Sequence, residues 1–302
     1  MTYVYDVGSI IDRDAERLSR ELDAKVGVGF KDLDRDYEHF YNPDERFLMA
    51  SVFKLYVLVE LYNQALKGLI RLDDRVTIRE GDKVPGSGVI QHLSAGATLA
   101  LRDLANLMMI FSDNTATDII LGVVGKDRVN ETIKELGLSN TKVVYSTREI
   151  ICKLAGVNDV WLAIKKLRSP KAKLNVEFLK DYTNNNVSSP RDTVRILELL
   201  HRKKILNPGA CSEIIETMKK CQTGEARIKY YLPHYVEVAH KTGTMPGVVN
   251  DVGIVYSKRR SYILVVYLNE LFPKKRKAPY LSLGESFIAN LSYKIHNAVK
   301  RS

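Results

Sequence analysis

Cysteine is scarce here: Cys152, Cys211 and Cys221 are the only three in 302 residues. Three cannot build a disulfide framework, and none stands at metal-ligand spacing from another. All three are expected to be reduced and helical. His39, His92, His201, His234 and His296 have no carboxylate or cysteine at ligand spacing, so no metal is expected. Long apolar runs are also missing. The richest, Leu48 to Leu66, is broken by Lys54, Glu60 and Asn63-Gln64, which excludes a membrane span. The start, MTYVYDVGSIIDRDAER, has neither the basic lead nor the apolar centre of a signal peptide. The expectation is a cytoplasmic protein, or an exported one whose signal has been removed. Glycine (18) and proline (9) are ordinary in number and hydrophobic residues reach 45%, which excludes collagen-like repetition and disorder. No internal repeat or low-complexity segment is present.

What the chain does have is positive charge: 46 Lys and Arg against 36 Asp and Glu, a formal +10. The charges are dispersed apart from Lys258-Arg259-Arg260 and Lys274-Lys275-Arg276-Lys277. No zinc finger, helix-turn-helix or aromatic-basic platform accompanies them, so nucleic acid is not an expected partner. Arg276 could help attract a carboxylate, although a solvated turn explains the cluster at least as well. The length suits one large domain or two lobes sharing a core.

Residues 12–24 place Ala15, Leu18 and Leu22 on one helical face, and VGVGFKDL (26–33) alternates like a strand. A short strand pair ends near Phe47. MASVFKLYVLVELYNQALKGLI then predicts a helix apolar on nearly all sides in its first half, hence buried centrally. Helical patterns follow at 101–111, 126–138, 148–166 and 191–221, with a loop-rich stretch at 69–100. From Tyr235 the period returns to two, giving strands in YVEVAHKT, VGIVYS (252–257) and SYILVVYL (261–268). A helix at 282–299 closes the chain. Both ends supply one sheet, and the middle is helical.

Three short segments can carry chemistry. Ser51 opens the apolar helix, and Lys54 follows about one turn later on the same side. A serine hydroxyl is a weak nucleophile until a base takes its proton, and a lysine among Phe53, Leu55, Val57 and Leu58 can be desolvated enough to serve. Unpaired N–H groups at the helix start favour a developing oxyanion. The same residues also fit an N-cap serine and a snorkelling lysine. A second Ser-x-x-Lys, Ser139 to Lys142, reads as a turn. Ser112-Asp113-Asn114 offers a proton relay and a side-chain amide; taken alone, an N-cap with an Asx-turn explains it better. In Lys241-Thr242-Gly243-Thr244, in an edge-strand region, the lysine brings charge and Thr242 a hydroxyl. Gly243 clears space for a close backbone, and the Thr244 N–H can be an oxyanion donor. An ordinary strand-to-turn segment is the alternative. His240 points away by alternation and reads as a packing or surface histidine. Gly86-Ser87-Gly88 reads equally as a site rim or a plain turn.

Taken in order, SVFK (51–54), SDN (112–114) and KTGT (241–244) resemble the three motifs of the serine beta-lactamase and penicillin-binding-protein superfamily. GVGFKDLDRD resembles the first hairpin of class A beta-lactamases, LRDLANLMMIFSDNTATDIIL the helix leading to their second motif, and ETIKELGLSNT the segment after it. SSPRDTVRILELL resembles a helix start of the same family, and TGEARIKYYLP the stretch before the third motif. The likeness runs from about residue 15 to residue 299.

The resemblance implies an α/β (α+β) fold of the beta-lactamase/transpeptidase type. An antiparallel sheet flanked by helices would come from residues 1–50 and 228–302, with a mainly helical lobe from 51–227. By the same resemblance Ser51 is the acylated nucleophile, Lys54 its base, and Ser112 the proton relay to the departing nitrogen. Asn114 contacts the substrate's side-chain amide. Lys241 and Thr242, with Gly243 between the two threonines, recognise the substrate carboxylate. The N–H groups of Ser51 and Thr244 form the oxyanion hole, and Asp113 is structural. A small beta-lactam or peptide-like carboxylate substrate, no cofactor and a monomer are implied.

One departure matters. Class A enzymes carry Arg-x-Glu-x-x-Leu-Asn after the second motif, whereas this chain has YSTREIICKLAG (145–156), with Glu149 but no Leu-Asn. A helical insertion around 150–185 is expected beside it. Glu149 is a candidate deacylation base; a solvent-facing helix residue is the plainer reading. Deacylation needs a water and a base against the ester, so without the pair it should be slow. The expectation is a beta-lactamase-like serine hydrolase. The alternatives are a DD-peptidase, transpeptidase or esterase with slow beta-lactam turnover, or a sensor acylated once.

Overall fold

The structure, a computed structural model, describes residues 2–169, 171–272 and 279–301. Arg276 and its basic neighbours lie outside the described residues. Two compact units divide the chain: Met1–Val52, Leu138–Thr141 and Val187–Ser302 form the first, Phe53–Gly137 and Lys142–Asn186 the second.

The chain enters the first unit with α1 (Thr2–Leu22), β1 (Lys25–Asp32), β2 (Tyr37–Tyr41) and β3 (Phe47–Leu48). It builds the second with α2 (Lys54–Leu66), β4 (Arg75–Thr77), β5 (Thr98–Ala100), α3 (Leu101–Ile110), α4 (Asn114–Val124), α5 (Lys126–Glu135), α6 (Thr147–Ala155), α7 (Val160–Leu167) and α8 (Val176–Lys180). It returns to the first with β6 (Val187–Ser188), α9 (Pro190–His201), α10 (Pro208–Lys219), β7 (Glu237–Met245), β8 (Val248–Tyr256), β9 (Ser261–Asn269) and α11 (Tyr280–Arg301).

In the first unit a five-stranded antiparallel sheet has the order β2-β1-β9-β8-β7, so the two ends of the chain meet where β1 pairs with β9. Val7, Ile11, Ala15, Leu18 and Leu22 fall on one face of α1 and share a core with Val26, Val28 and Phe30 of β1 and with Ile288, Leu291 and Ile295 of α11. β8 and β9 are buried along almost their whole length, so the strands expected from a period of two are there, but both of their faces are covered and burial does not alternate along them. The sequence assigned everything from 51 to 227 to the helical lobe. The structure instead groups α9 and α10 with the sheet, because α9 packs on β1 and β9 and α10 on β7. The apolar stripe of a helix records that it is covered, not by what.

In the second unit α2 is buried from Lys54 to Tyr62, with α3, α4 and α5 around it. The unit is not wholly helical: β4 and β5 form a small antiparallel ladder. The stretch around 150–185, where a helical insertion is expected, carries most of α6 and all of α7 and α8. Its neck is held by Asn186, whose Oδ1 accepts from the N–H groups of Val144 (2.7 Å) and Tyr145 (2.8 Å). The cysteines are free. Cys152 and Cys211 are helical as expected, but Cys221 follows the end of α10. Among the described residues no helix is long and apolar enough to cross a membrane, and no group of three or more His, Cys, Asp and Glu side chains is placed to hold a metal ion.

Candidate active site

Ser51 sits in a 3₁₀ turn, Ala50–Phe53, just ahead of α2 rather than inside its first turn. The turn is entered through Ala50 at φ +44°, a left-handed conformation unusual for a residue with a Cβ. Two buried asparagines anchor the segment before it. Asn269 Oδ1 accepts from Leu48 N at 2.7 Å, and Asn250 Nδ2 donates to Leu48 O (2.9 Å) and Met49 O (3.1 Å). Gly243 on β7 runs directly against this segment: a Cβ there would collide with Met49 O and lie 3.2 Å from Val52 Cγ2. The KTGT strand and the turn bearing Ser51 are therefore neighbours within the first unit, and only glycine permits the approach.

In the second unit Lys54 is fully buried. Its Nζ donates to Ser112 O at 2.6 Å and lies 3.1 Å from Ser112 Oγ and 3.0 Å from Asn114 Oδ1. Ser112, like Ala50, is held left-handed, at φ +54°. Its neighbours hold it there. Asp113 caps α4 by accepting from Ala116 N, while its other oxygen accepts from Val89 N (2.7 Å) and Ile90 N (2.9 Å). Asn114 N donates to Ser87 O, and Asn114 Nδ2 to Pro85 O. Gly88 packs so closely that a Cβ would overlap the Asp113 carboxylate. The Gly86-Ser87-Gly88 turn thus wraps the Ser112–Asn114 segment.

On β7, Lys241 and Thr242 are buried and Thr244 is exposed. Burial pushes the Lys241 amine down to about 8, against the raising effect of Cys221 and Asp251. Arg227, which sequence reasoning passed over, is buried behind this strand. It donates to Asn250 O (2.8 Å), to Gly243 O (3.3 Å) and to Thr244 Oγ1 (2.7 Å), and pairs with Glu285 at 3.4 Å. The signal was present as a lone arginine in TGEARIKYYLP. His240 is a packing rather than a surface histidine, fully buried and ion-paired to Asp251.

Glu149 is not brought to the Lys54 cluster. It closes a capping box on α6, accepting from Ser146 N at 2.7 Å, and pairs with Lys126 Nζ at 3.1 Å. Burial alone would raise its pKa, but the Ser146 N–H and Lys126 outweigh it and hold the carboxyl below the usual range. The side chain that α6 does present to the Ser112–Asn114 segment is Thr147, bonded to Asn114 O at 3.2 Å and to the Asp118 carboxylate. Asp118, half-buried one turn after Asn114 on α4, was also missed. Burial raises its pKa, while bonds from Thr147 and Arg148 and the charge of Lys54 oppose the rise.

A family model described as the beta-lactamase enzyme family matches residues 11–299. A beta-lactamase of Proteus vulgaris is 26% identical over 268 residues, covering 88% of this chain and 80% of the relative. One from Bacillus licheniformis is 26% identical over 271 residues, covering 87% and 77%. Among solved structures, a beta-lactamase from Sphaerobacter thermophilus superposes with a TM-score of 0.79 at 25% identity over 97% of each chain. PBP-A gives 0.77 at 23%, also over 97% of each, which speaks to the fold alone. With the match extending over nearly the whole sequence and both compact units, the chain belongs to the beta-lactamase enzyme family.

Proposed function

We propose that the protein is a serine hydrolase that opens a beta-lactam, or a related amide or ester, through an acyl-enzyme at Ser51. The observation that carries this reading is the buried Lys54 amine, one turn after Ser51 and in contact with both Ser112 Oγ and Asn114 Oδ1. An amine held dry among hydrogen-bonding partners can take the serine proton and pass it on. Ser112 would return that proton to the departing nitrogen. Asn114 would contact the substrate's amide, and Lys241 and Thr242 its carboxylate. Gly243 would let β7 lie against the turn bearing Ser51, and the N–H groups of Ser51 and Thr244 would stabilise the oxyanion. The buried Arg227, bonded to Thr244 Oγ1, would add positive charge behind the carboxylate contacts.

The position of Glu149 favours a second feature, slow deacylation. A carboxylate tied to Ser146 and Lys126 with its pKa held low makes a poor base for the hydrolytic water. The acyl-enzyme should therefore accumulate, as it would in a peptidase-like or esterase-like enzyme of this fold. Intact-mass spectrometry after mixing with a penicillin or a cephalosporin tests both parts. An adduct that forms and decays over many turnovers supports the hydrolase, a lasting one the slow enzyme, and none at all excludes beta-lactams as substrates.

A further inference from the structure

His240 Nδ1 lies 2.8 Å from Asp251 Oδ1, both side chains being fully buried. His240 Nε2 has no hydrogen-bond partner among the described residues, and after Asp251 the group whose charge acts most on the His240 ring is the Cys221 thiol, 1% exposed. Cys221 Sγ lies 3.3 Å from Thr223 Oγ1, which lies 2.6 Å from Thr242 Oγ1. A polar chain, buried except at the half-buried Thr223, thus leads from Asp251 to a hydroxyl of the KTGT strand. The register explains its assembly: Thr242 pairs with Asp251 across β7 and β8, and His240 is two residues from Thr242. All three therefore share a face, opposite to Lys241 and Gly243.

We propose that Cys221 is a positioning residue for Thr242, its thiol setting through Thr223 which way the Thr242 hydroxyl donates and so how well a carboxylate-bearing substrate is held. The inference rests on Thr242 being a carboxylate contact. Each hydroxyl has one proton to give. With the thiol protonated, two acceptors face the S–H, Thr223 Oγ1 at 3.3 Å and Thr223 O at 3.7 Å; donated to the nearer Oγ1, it turns the Thr223 hydroxyl toward Thr242 and leaves the Thr242 O–H for an anion. With a thiolate, Thr223 donates to the sulfur and Thr242 donates to Thr223, leaving only lone pairs toward the anion. The charged groups acting on the thiol are His240 and Lys241 on β7; Asp251 on β8 acts on both of these, and Arg227 on Lys241. Burial raises the thiol, but His240 first, then Lys241 and Thr223, bring it down to about 6. Burial likewise lowers His240, yet Asp251 and Cys221 lift it to about 10. The chain therefore reverses while Lys241, at about 8, still carries its charge.

The experiment compares acylation by benzylpenicillin and by its methyl ester, which lacks the anion, across pH. It uses the wild type, Cys221→Ser and Thr223→Val, each checked for an unchanged melting temperature. For the acid, the concentration giving half-maximal acylation rate should rise on the order of tenfold above the thiol's pKa, the effect of one lost hydrogen bond to a charged group, with the limiting rate unchanged. The ester should show no such rise. Cys221→Ser, whose hydroxyl stays protonated, should lose this lower limb and keep only the one near 8 that belongs to Lys241. An equal rise for the ester, or a lower limb surviving in Cys221→Ser, overturns the proposal and leaves the acylation reading standing. Acylation by neither compound overturns the acylation reading and the proposal together. In the substrate-free protein with Cys152→Ser and Cys211→Ala, thiolate absorbance should titrate below the ordinary thiol range and move upward on Thr223→Val. A thiol titrating in or above that range also overturns the proposal.

Discussion

Lys54 Nζ and Ser112 are joined twice, through the carbonyl at 2.6 Å and the hydroxyl at 3.1 Å, and the left-handed backbone of Ser112 presents both oxygens to one amine. Removing that amine should slow acylation by roughly 10²-fold or more, the usual scale of general-base catalysis. It also leaves buried acceptors on Ser112 and Asn114 without their donor, at about 1–3 kcal/mol. Stopped-flow acylation and urea denaturation of Lys54→Ala measure the two effects separately. A near-normal acylation rate would send the proton to another group.

Gly243→Ala should damage the site through the backbone. The added Cβ collides with Met49 O, a main-chain atom tethered by Asn250, so the strand and the turn before Ser51 must separate. Overpacking of this kind costs about 1–3 kcal/mol. Acylation should fall even in folded protein. Wild-type melting temperature and acylation together would contradict the close approach.

Asp113→Ala should cost about 2 kcal/mol or more, since one carboxylate both caps α4 and satisfies the N–H groups of Val89 and Ile90. Asp113→Asn keeps one acceptor and should lose less. Equilibrium urea unfolding ranks the two, and equal stability of wild type and Asp113→Ala would contradict the capping role.

Glu149→Ala should change the lifetime of the acyl-enzyme by less than about threefold while costing about 1 kcal/mol of stability through the lost cap. Because its folded pKa is lowered, its contribution is present above the ordinary glutamate range and lost as pH falls through the folded value. Acyl-enzyme decay followed by mass spectrometry decides the matter: a lifetime extended on the order of a hundredfold would make Glu149 the deacylation base after all.

Recognition of a carboxylate substrate should weaken as pH rises through about 8, where the Lys241 amine loses its charge. The limb should vanish in Lys241→Arg, since a guanidinium stays charged throughout. The pH dependence of half-saturation for acylation checks this, and persistence of the limb in the arginine variant would assign it elsewhere.

Types and spacing alone left Lys54, Ser112 and Asn114 open to plain capping or snorkelling readings; the resemblance of the three motifs in order grouped them, and the structure brings these three side chains together. The strands at 252–257 and 261–268 were legible because β-branched residues and a basic turn mark them. What surrounds the motifs was not. Arg227 meets Asn250, and Asn250 meets Met49, across 23 and 201 residues, and no local pattern reports a partner so distant. Ala50 and Ser112 are left-handed without being glycine or asparagine, so their conformation is imposed by neighbours rather than by propensity. Glu149 stood where this chain departs from the class A pattern, and a Ser-x-x-Glu at a helix start, Ser146 to Glu149, is also a capping box, which is how it folds.

The most direct measurement is time-resolved intact-mass spectrometry with a penicillin, followed by peptide mapping, on the wild type and on Ser51→Ala. A covalent adduct on the peptide bearing Ser51, outlasting many acylation half-times and absent from a normally folded Ser51→Ala, is the predicted result. An undiminished adduct in Ser51→Ala, or one mapped to any other residue, would contradict it.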